Sequence, residues 1–203
     1  MKNGFLFILF ACTIIIQVSS CKKSNSSHTY NVQFPNNIGS WWKYTVFDSV
    51  SNSLDSLNIN VIGMTKLDDG TDVTIWAINS ISNGSDTNFV SNKSDGIRIF
   101  HSRLSTATPI KRLMFPLTVG SKWITQNVLD TNTVTQQGLI LVTAGSFSGF
   151  RIDRHVIIPP GYNLLQQQEW FVEDIGMVSR YYVEIGPGYM RKEKWELISY
   201  SIK

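Results

Sequence analysis

Residues 57–61 read Leu-Asn-Ile-Asn-Val, a strict alternation of apolar and polar side chains. Successive side chains of a β-strand point to opposite faces, so this period of two predicts a strand with one buried face. Residues 73–77, 150–156 and 195–200 follow the same rule. Turn-forming sequences rich in Gly, Asn and Pro separate these runs, which marks each run as one short strand.

Short alternating runs between turn signals are typical of an antiparallel all-β domain. No stretch of residues 34–203 carries an apolar stripe with the 3.6-residue period of a helix of ordinary length. We therefore predict an all-β fold of roughly a dozen strands, arranged as an antiparallel curved sheet or a partly open barrel.

The composition excludes two other classes of protein. Hydrophobic residues make up 42% of the chain and charged residues 16%, whereas a disordered chain combines low hydrophobicity with high charge. The 18 Lys and Arg residues against 15 Asp and Glu residues give a net charge of +3. This basic excess is too small for a dedicated nucleic-acid binder, so we expect no nucleic-acid partner.

Residues 1–20 have the pattern of a signal peptide, with Lys2 before the apolar run 5–16. This run of twelve residues would span about 18 Å as a helix, too short for a hydrocarbon core of roughly 30 Å. Residues 18–21, Val-Ser-Ser-Cys, resemble the lipobox of bacterial lipoproteins in its relaxed Bacteroidetes form. The resemblance implies cleavage before Cys21 and lipidation of that cysteine, which would anchor the protein to a membrane. The alternative is ordinary cleavage that leaves Cys21 as a free thiol.

Residues 21–33 are predicted to form a flexible tether, because they begin with the polar run Lys-Lys-Ser-Asn-Ser-Ser after Cys21. Surface-exported lipoproteins of the Bacteroidetes tend to carry acidic residues directly after this cysteine, and residues 22–27 contain none. The resemblance therefore implies an outer-membrane lipoprotein that faces the periplasm.

Two nine-residue segments, 34–42 and 115–123, share the pattern Phe-Pro-x-x-(Ile/Val)-Gly-Ser-x-Trp. Their offset of 81 residues also places Val61 opposite Val142. We infer two tandem β repeats of about 80 residues, 34–114 and 115–203, that pack together as one domain. The alternative is chance similarity in a β-rich chain that glycines interrupt often.

Four segments carry a resemblance to a known family: 115–123, 142–152, 169–178 and 195–200. Together they resemble uncharacterised Bacteroidetes-type envelope lipoproteins, although Thr143 stands where the family pattern has proline. Such proteins are similar to the lipoprotein-localisation half-barrel superfamily. The resemblance implies a curved antiparallel sheet that shields an apolar concave face, and it supplies no catalytic residues.

Three carboxylates, Asp68, Asp69 and Asp72, surround Gly70. Carboxylate oxygens are the ligands that Ca²⁺ prefers, so this segment is a weak candidate metal site. An Asp-Gly pair between two alternating runs is also a strong hairpin signal, and we favour a plain hairpin. We expect no resident metal and no cofactor.

The tryptophans suggest both packing and binding roles. Trp42 and Trp123 occupy equivalent positions of the two proposed repeats, which indicates packing. Trp41 and Trp76 are the candidate ligand-binding residues, because exposed tryptophans form sugar-binding platforms and partner interfaces.

Two tripeptides, Asp-Ser-Val at 48–50 and Asp-Ser-Leu at 55–57, resemble the short site at which Bacteroidetes attach O-glycans to exported proteins. The resemblance makes Ser49 and Ser56 candidate glycosylation sites.

No motif in the sequence unites a nucleophile with a base. We therefore expect a non-catalytic, lipid-anchored envelope protein, a β scaffold that binds an envelope partner or an apolar ligand. One alternative is a carbohydrate-binding module, which would expose Trp41 and Trp76 on one face and take a glycan ligand. The other is a hydrolase with a site built from loops such as residues 159–168.

Overall fold

The computed structural model describes residues 34–104, 108–126, 129–158 and 163–203. The predicted signal peptide, Cys21 and the predicted tether lie outside the described residues. Within the described part of the chain, no helix is long and apolar enough to cross a membrane.

Twelve strands form one sheet in which every hydrogen-bonded pair is antiparallel. The strands are β1 (Trp41–Asp48), β2 (Ser53–Lys66), β3 (Asp72–Ser80), β4 (Gly84–Lys93), β5 (Gly96–Phe100), β6 (Lys111–Met114), β7 (Lys122–Ile124), β8 (Asp130–Val142), β9 (Gly145–Ile158), β10 (Asn163–Val172), β11 (Gly176–Gly186) and β12 (Tyr189–Ser201). Their order is β6-β5-β4-β3-β2-β1-β12-β11-β10-β9-β8-β7, so two meanders meet where β1 pairs with β12.

The sheet curls into a nearly closed barrel with one seam, which lies between its end strands β6 and β7. Two side-chain contacts link β6, at one end of the sheet, to the strands of the opposite half. The indole N–H of Trp123 on β7 donates to the carbonyl oxygen of Arg112 on β6 at 2.7 Å. Lys111, also on β6, forms an ion pair with Glu169 on β10. The all-β, antiparallel, partly open barrel that the sequence predicts is thereby confirmed.

The alternation of side chains decides which face of each strand lines the interior. On β2, Leu57, Ile59 and Val61 are each less than 9% exposed, whereas the intervening Asn58 and Asn60 are half-buried on the opposite face. The same rule fills the barrel with one main apolar cluster drawn from both meanders. Burial of this cluster is the main source of stability, because each fully buried large aliphatic or aromatic side chain contributes roughly 1.5–3 kcal/mol.

The two Gly-Ser-x-Trp segments make the same local hydrogen bonds. The amide of Gly39 donates to Val61 O at 2.9 Å, and the amide of Gly120 donates to Val134 O at 2.8 Å. Both glycines have φ near +90°, a conformation that favours glycine. The structural counterpart of Val61 is thus Val134 and not Val142, because the hairpin that begins with β7, a strand of three residues, is shorter than the hairpin that begins with β1, a strand of eight. Duplication of the whole unit stays a prediction.

Candidate functional site

A cavity of about 200 Å³ lies inside the barrel between two different walls. Strands β1 to β5 supply a wall that is apolar apart from Asn88. We call this the apolar wall, and its lining residues are Trp42, Tyr44, Leu57, Ile59, Trp76, Ile78, Asn88, Ile97 and Ile99. Facing it is a charged cluster that we call the ionic wall, formed by Lys111, Arg154, Gln167, Glu169 and Arg180.

Stacked aromatic rings form one end of the cavity. Phe34 lies between Trp76 and Phe171, with ring centroids 5.6 and 5.8 Å away, and Trp42 packs 5.2 Å from Trp76. The indole N–H of Trp42 donates to Ile175 O at 2.6 Å, and that of Trp76 donates to Asn36 Oδ1 at 2.7 Å. Because both indole donors are satisfied, these residues present apolar ring surface to the cavity.

The ionic wall lies one inward-facing position along the strands from this apolar layer. On β10, Glu169 lies two residues before Phe171 and also lines the cavity. On β6, Lys111 lies two residues before Leu113 in the same way. A step of two residues keeps a side chain on the same face of a strand, so charged groups enter the interior in register with the apolar ones. The cavity therefore changes from apolar to charged over one layer of side chains.

Glu169 is the central group of the ionic wall and is only 3% exposed. It forms an ion pair with Lys111, and its Oε1 lies 3.8 Å from Nε of Arg180, which is its cross-strand neighbour on β11. Burial alone would raise the pKa of Glu169, but the positive charges of Lys111 and Arg180 outweigh burial and hold that pKa below its usual value. Glu169 therefore stays ionised and acts as a charge anchor rather than a proton donor.

The three cations of the ionic wall are not equally satisfied. Arg154 binds the fully buried Asp130 through two hydrogen bonds of 2.8 and 2.7 Å. Burial lowers the pKa of Lys111 and of Arg180, against the raising effect of Glu169. Lys111 and Arg180 both lie near the single carboxylate of Glu169, whereas Arg154 has Asp130 as a separate partner.

Arg180 is held by rings as well as by polar groups. Its guanidinium carbon lies 4.6 Å from the ring centroid of Tyr182 and 4.7 Å from that of Trp195. One terminal nitrogen donates to Gln167 Oε1 at 3.1 Å. Its Nε is buried without an acceptor among the described protein atoms, and Oδ1 of Asn88 is buried without a donor. A buried polar atom left unpaired in this way costs roughly 1–3 kcal/mol.

The structure separates the two predicted ligand-binding tryptophans. Trp41 is 36% exposed on the outside of β1, whereas Trp76 is 7% exposed and lines the cavity. They do not share an exposed face, which contradicts the expectation of a surface sugar platform. The reason is that the indole of Trp76 packs between Trp42 and Phe34 inside the barrel.

The carboxylates around Gly70 lie in the exposed turn between β2 and β3, where Lys66 pairs with Asp72 across the hairpin. The predicted hairpin is confirmed. Asp69 accepts a hydrogen bond from the amide of Thr71, and Asp72 forms a 2.6 Å ion pair with Lys66. Among the described residues, no group of three or more His, Cys, Asp or Glu side chains could hold a metal ion. Asp68, Asp69 and Asp72 therefore do not form such a group.

The two candidate glycosylation residues differ in accessibility. Ser49 is exposed in the turn after β1, although its hydroxyl contacts Lys192 O at 3.2 Å. Ser56 lies within β2, and its hydroxyl oxygen is buried. Both stay predictions, with Ser49 the more accessible acceptor in the folded protein.

Both histidines of the described strands and turns lie on the outside of the barrel. His101 is exposed, with Nδ1 3.8 Å from an Asp86 oxygen that is exposed as well. His155 is exposed on β9, and neither histidine lines the cavity. The loop that the hydrolase alternative invokes, residues 159–168, lies partly outside the described residues.

The ionic wall was not predicted from the sequence, although the sequence contains one signal of it. In the run 150–156, Arg154 occupies a position that the alternation assigns to the buried face, beside Ile152 and Val156. Glu169 likewise falls in phase with Phe171 on β10. A charged residue in the buried phase of a strand must find a partner inside, so such positions indicate a polar interior site.

No protein-family model and no curated protein matches the chain. Two solved structures are similar to it, each with a TM-score of 0.49. One is a proposed lipoprotein from Parabacteroides distasonis, with 11% sequence identity, and the match covers 83% of this chain and 97% of that chain. The other is a proposed exported protein with a YmcC-like fold from Bacteroides fragilis, with 12% identity and coverage of 83% and 98%.

Proposed function

We propose that this protein is a non-catalytic binding protein of the cell envelope that holds an apolar molecule inside its barrel. The observation that carries the proposal is the cavity of about 200 Å³ beside the rings of Phe34, Trp42 and Trp76. This volume is about seven times the roughly 30 Å³ that one water molecule occupies in the liquid. The cavity is smaller than the pockets of about 300–1,000 Å³ that hold drug-sized ligands. It therefore suits a small molecule or a short acyl chain.

Binding of an uncharged fluorescent probe, N-phenyl-1-naphthylamine, tests this proposal. The core residues of the described structure begin at Phe34, and its strands begin at Trp41, so a chain that starts at residue 22 keeps the whole barrel. We expect saturable fluorescence enhancement at one site per chain. A variant that fills the cavity, Ile59→Trp, should lose this binding, because Ile59 lines the apolar wall.

The matched control is Ile62→Trp, on the same strand but 57% exposed on the outside of the barrel. This variant should bind the probe as the unmodified chain does. Equal binding by both variants, or binding by neither the variants nor the unmodified chain, would contradict a ligand site inside the barrel.

Anchoring is the second part of the proposal. Lipidation of Cys21 would give a membrane anchor that the tether of residues 21–33 separates from the barrel. Intact-mass measurement of the protein isolated from membranes should show acyl chains on a polypeptide that begins at Cys21, and Cys21→Ser should abolish both acylation and membrane association. An unmodified N-terminus at residue 21 would contradict the anchor.

We place the barrel on the periplasmic side of the outer membrane, because residues 22–27 lack acidic side chains. Protease added to intact cells should leave the protein uncut, and the same protease should cut it after the outer membrane is opened. Cleavage on intact cells would indicate surface exposure instead.

A further inference from the structure

The charges that line the cavity do not cancel. Of the cavity-lining residues that the structure describes, Lys111, Arg154 and Arg180 are cationic and Glu169 alone is anionic. Asp130 adds one further carboxylate through its hydrogen bonds to Arg154, so three positive charges face two negative ones and one positive charge remains.

A neighbouring carboxylate does not remove this surplus. Glu193 lies close enough to Arg180 to raise its pKa, but it is already paired with Arg191 at 2.6 Å and also accepts from the indole N–H of Trp195 at 2.8 Å. The Arg191–Glu193 pair is neutral as a unit, and neither residue lines the cavity.

The unpaired charge can be assigned to Arg180. Lys111 is in contact with Glu169, and the charge of Arg154 is neutralised by Asp130. Arg180 has one neutral acceptor, Gln167, and its buried Nε lies 3.8 Å from Glu169, beyond hydrogen-bond distance. Its guanidinium is fixed between the rings of Tyr182 and Trp195, so it is preorganised to donate to a group in the cavity.

Resting on the proposed function, we infer that the cavity selects an amphipathic molecule with a single negative charge, whose anionic head binds Arg180 and whose apolar chain lies against the apolar wall. A carboxylate fits this role, because a planar guanidinium donates to it with matched geometry and one negative charge neutralises the surplus.

Calorimetric titration of the chain from residue 22 with four eight-carbon probes tests the inference. The probes are octanoate (one negative charge), octyl phosphate (up to two), octanol (none) and octylamine (one positive charge). We expect octanoate to bind at least tenfold more tightly than octanol, with octyl phosphate weaker than octanoate and octylamine weakest. Tenfold corresponds to about 1.4 kcal/mol, the low end for a hydrogen bond to a charged group.

Arg180→Met tests the assignment to one residue, since it removes the charge and keeps a side chain of similar length. It should reduce the octanoate preference to less than threefold while octanol affinity stays unchanged, which also shows that the barrel has folded. The matched control is Arg98→Met, because Arg98 pairs with Asp95 outside the cavity and should leave all four affinities unchanged.

The outcomes separate the inference from the proposed function. Equal binding of octanoate and octanol, or tightest binding of octylamine, would overturn the anionic head group and leave an apolar ligand site standing. Retention of the octanoate preference in Arg180→Met would overturn the role of Arg180. Binding of none of the probes to the unmodified chain would overturn both the inference and the proposed function.

Discussion

Replacing Glu169 by glutamine should destabilise the barrel strongly, because the one carboxylate among the described cavity-lining residues would be lost beside three cations. The Glu169 side chain is 4% exposed and that of Lys111 is 25% exposed, so water screens their ion pair little. At an effective dielectric constant of about 20, two unit charges 4 Å apart interact by about 4 kcal/mol. Removing one partner of a buried pair typically costs roughly 3–5 kcal/mol. Because glutamine can still accept a hydrogen bond from Lys111, we expect a loss at the low end, about 3 kcal/mol.

Urea unfolding at pH 7, followed by tryptophan fluorescence, measures this loss in the chain that begins at residue 22. The matched control is Asp72→Asn, which breaks the pair of Asp72 with Lys66, whose side chains are 70% and 62% exposed. Such an exposed pair contributes about 1 kcal/mol or less. The double variant Glu169→Gln with Lys111→Met should recover part of the loss, since the unpaired ammonium is gone. A loss below about 1 kcal/mol for Glu169→Gln, or no recovery in the double variant, would refute the reasoning.

Three further predictions concern packing, backbone conformation and pH. Trp42→Ala should lower the free energy of unfolding by about 3–5 kcal/mol and Trp41→Ala by about 1 kcal/mol or less, since Trp42 is 2% exposed and Trp41 is 36% exposed. Equal losses of the two variants in urea unfolding would contradict the inward orientation of Trp42. Gly96→Ala should be at least about 2 kcal/mol more destabilising than Gly70→Ala. Both glycines have positive φ, but only at Gly96 would an added Cβ lie 1.9 Å from a backbone oxygen, that of Leu113. Thermal unfolding of the two variants at the same protein concentration measures the difference, and similar midpoints would contradict the close pairing of β5 with β6. Partial burial raises the pKa of Asp55, but hydrogen bonds from neighbouring hydroxyls and amides lower it to about 2 overall. The stability that ionised Asp55 adds is therefore present above about pH 4 and is lost as the pH falls through about 2. The difference in unfolding free energy between the unmodified chain and Asp55→Asn should shrink over that range, and a difference independent of pH would show that the hydrogen bonds do not favour the ionised form.

The strands could be predicted from the sequence because their alternation is local information. The alternation in residues 57–61 predicts a strand with one buried face, and the structure places Leu57, Ile59 and Val61 inside the barrel. The hairpin at Gly70 follows from turn chemistry for the same reason. Closure of the sheet was not predictable, since it depends on contacts such as Trp123 to Arg112 that join strands at opposite ends of the sheet.

The cavity required information that no single segment holds. Glu169 and Arg180 come from neighbouring strands, but Lys111 reaches them from the other end of the sheet only because the barrel curls. The position of Trp76 inside the barrel could not be predicted from its residue type. Its residue type suits both a surface platform and a packed interior, and only the three-dimensional packing with Trp42 decides between them.

A crystal structure of the chain from residue 22 with octanoate tests the central claim most directly, because it shows the occupant and its contacts together. We predict one octanoate inside the barrel, with a carboxylate oxygen within about 3 Å of a guanidinium nitrogen of Arg180. Its chain should lie against Trp76 and Ile59. An octanoate bound only outside the barrel, or a cavity collapsed by inward side chains in a correctly folded protein, would contradict the account.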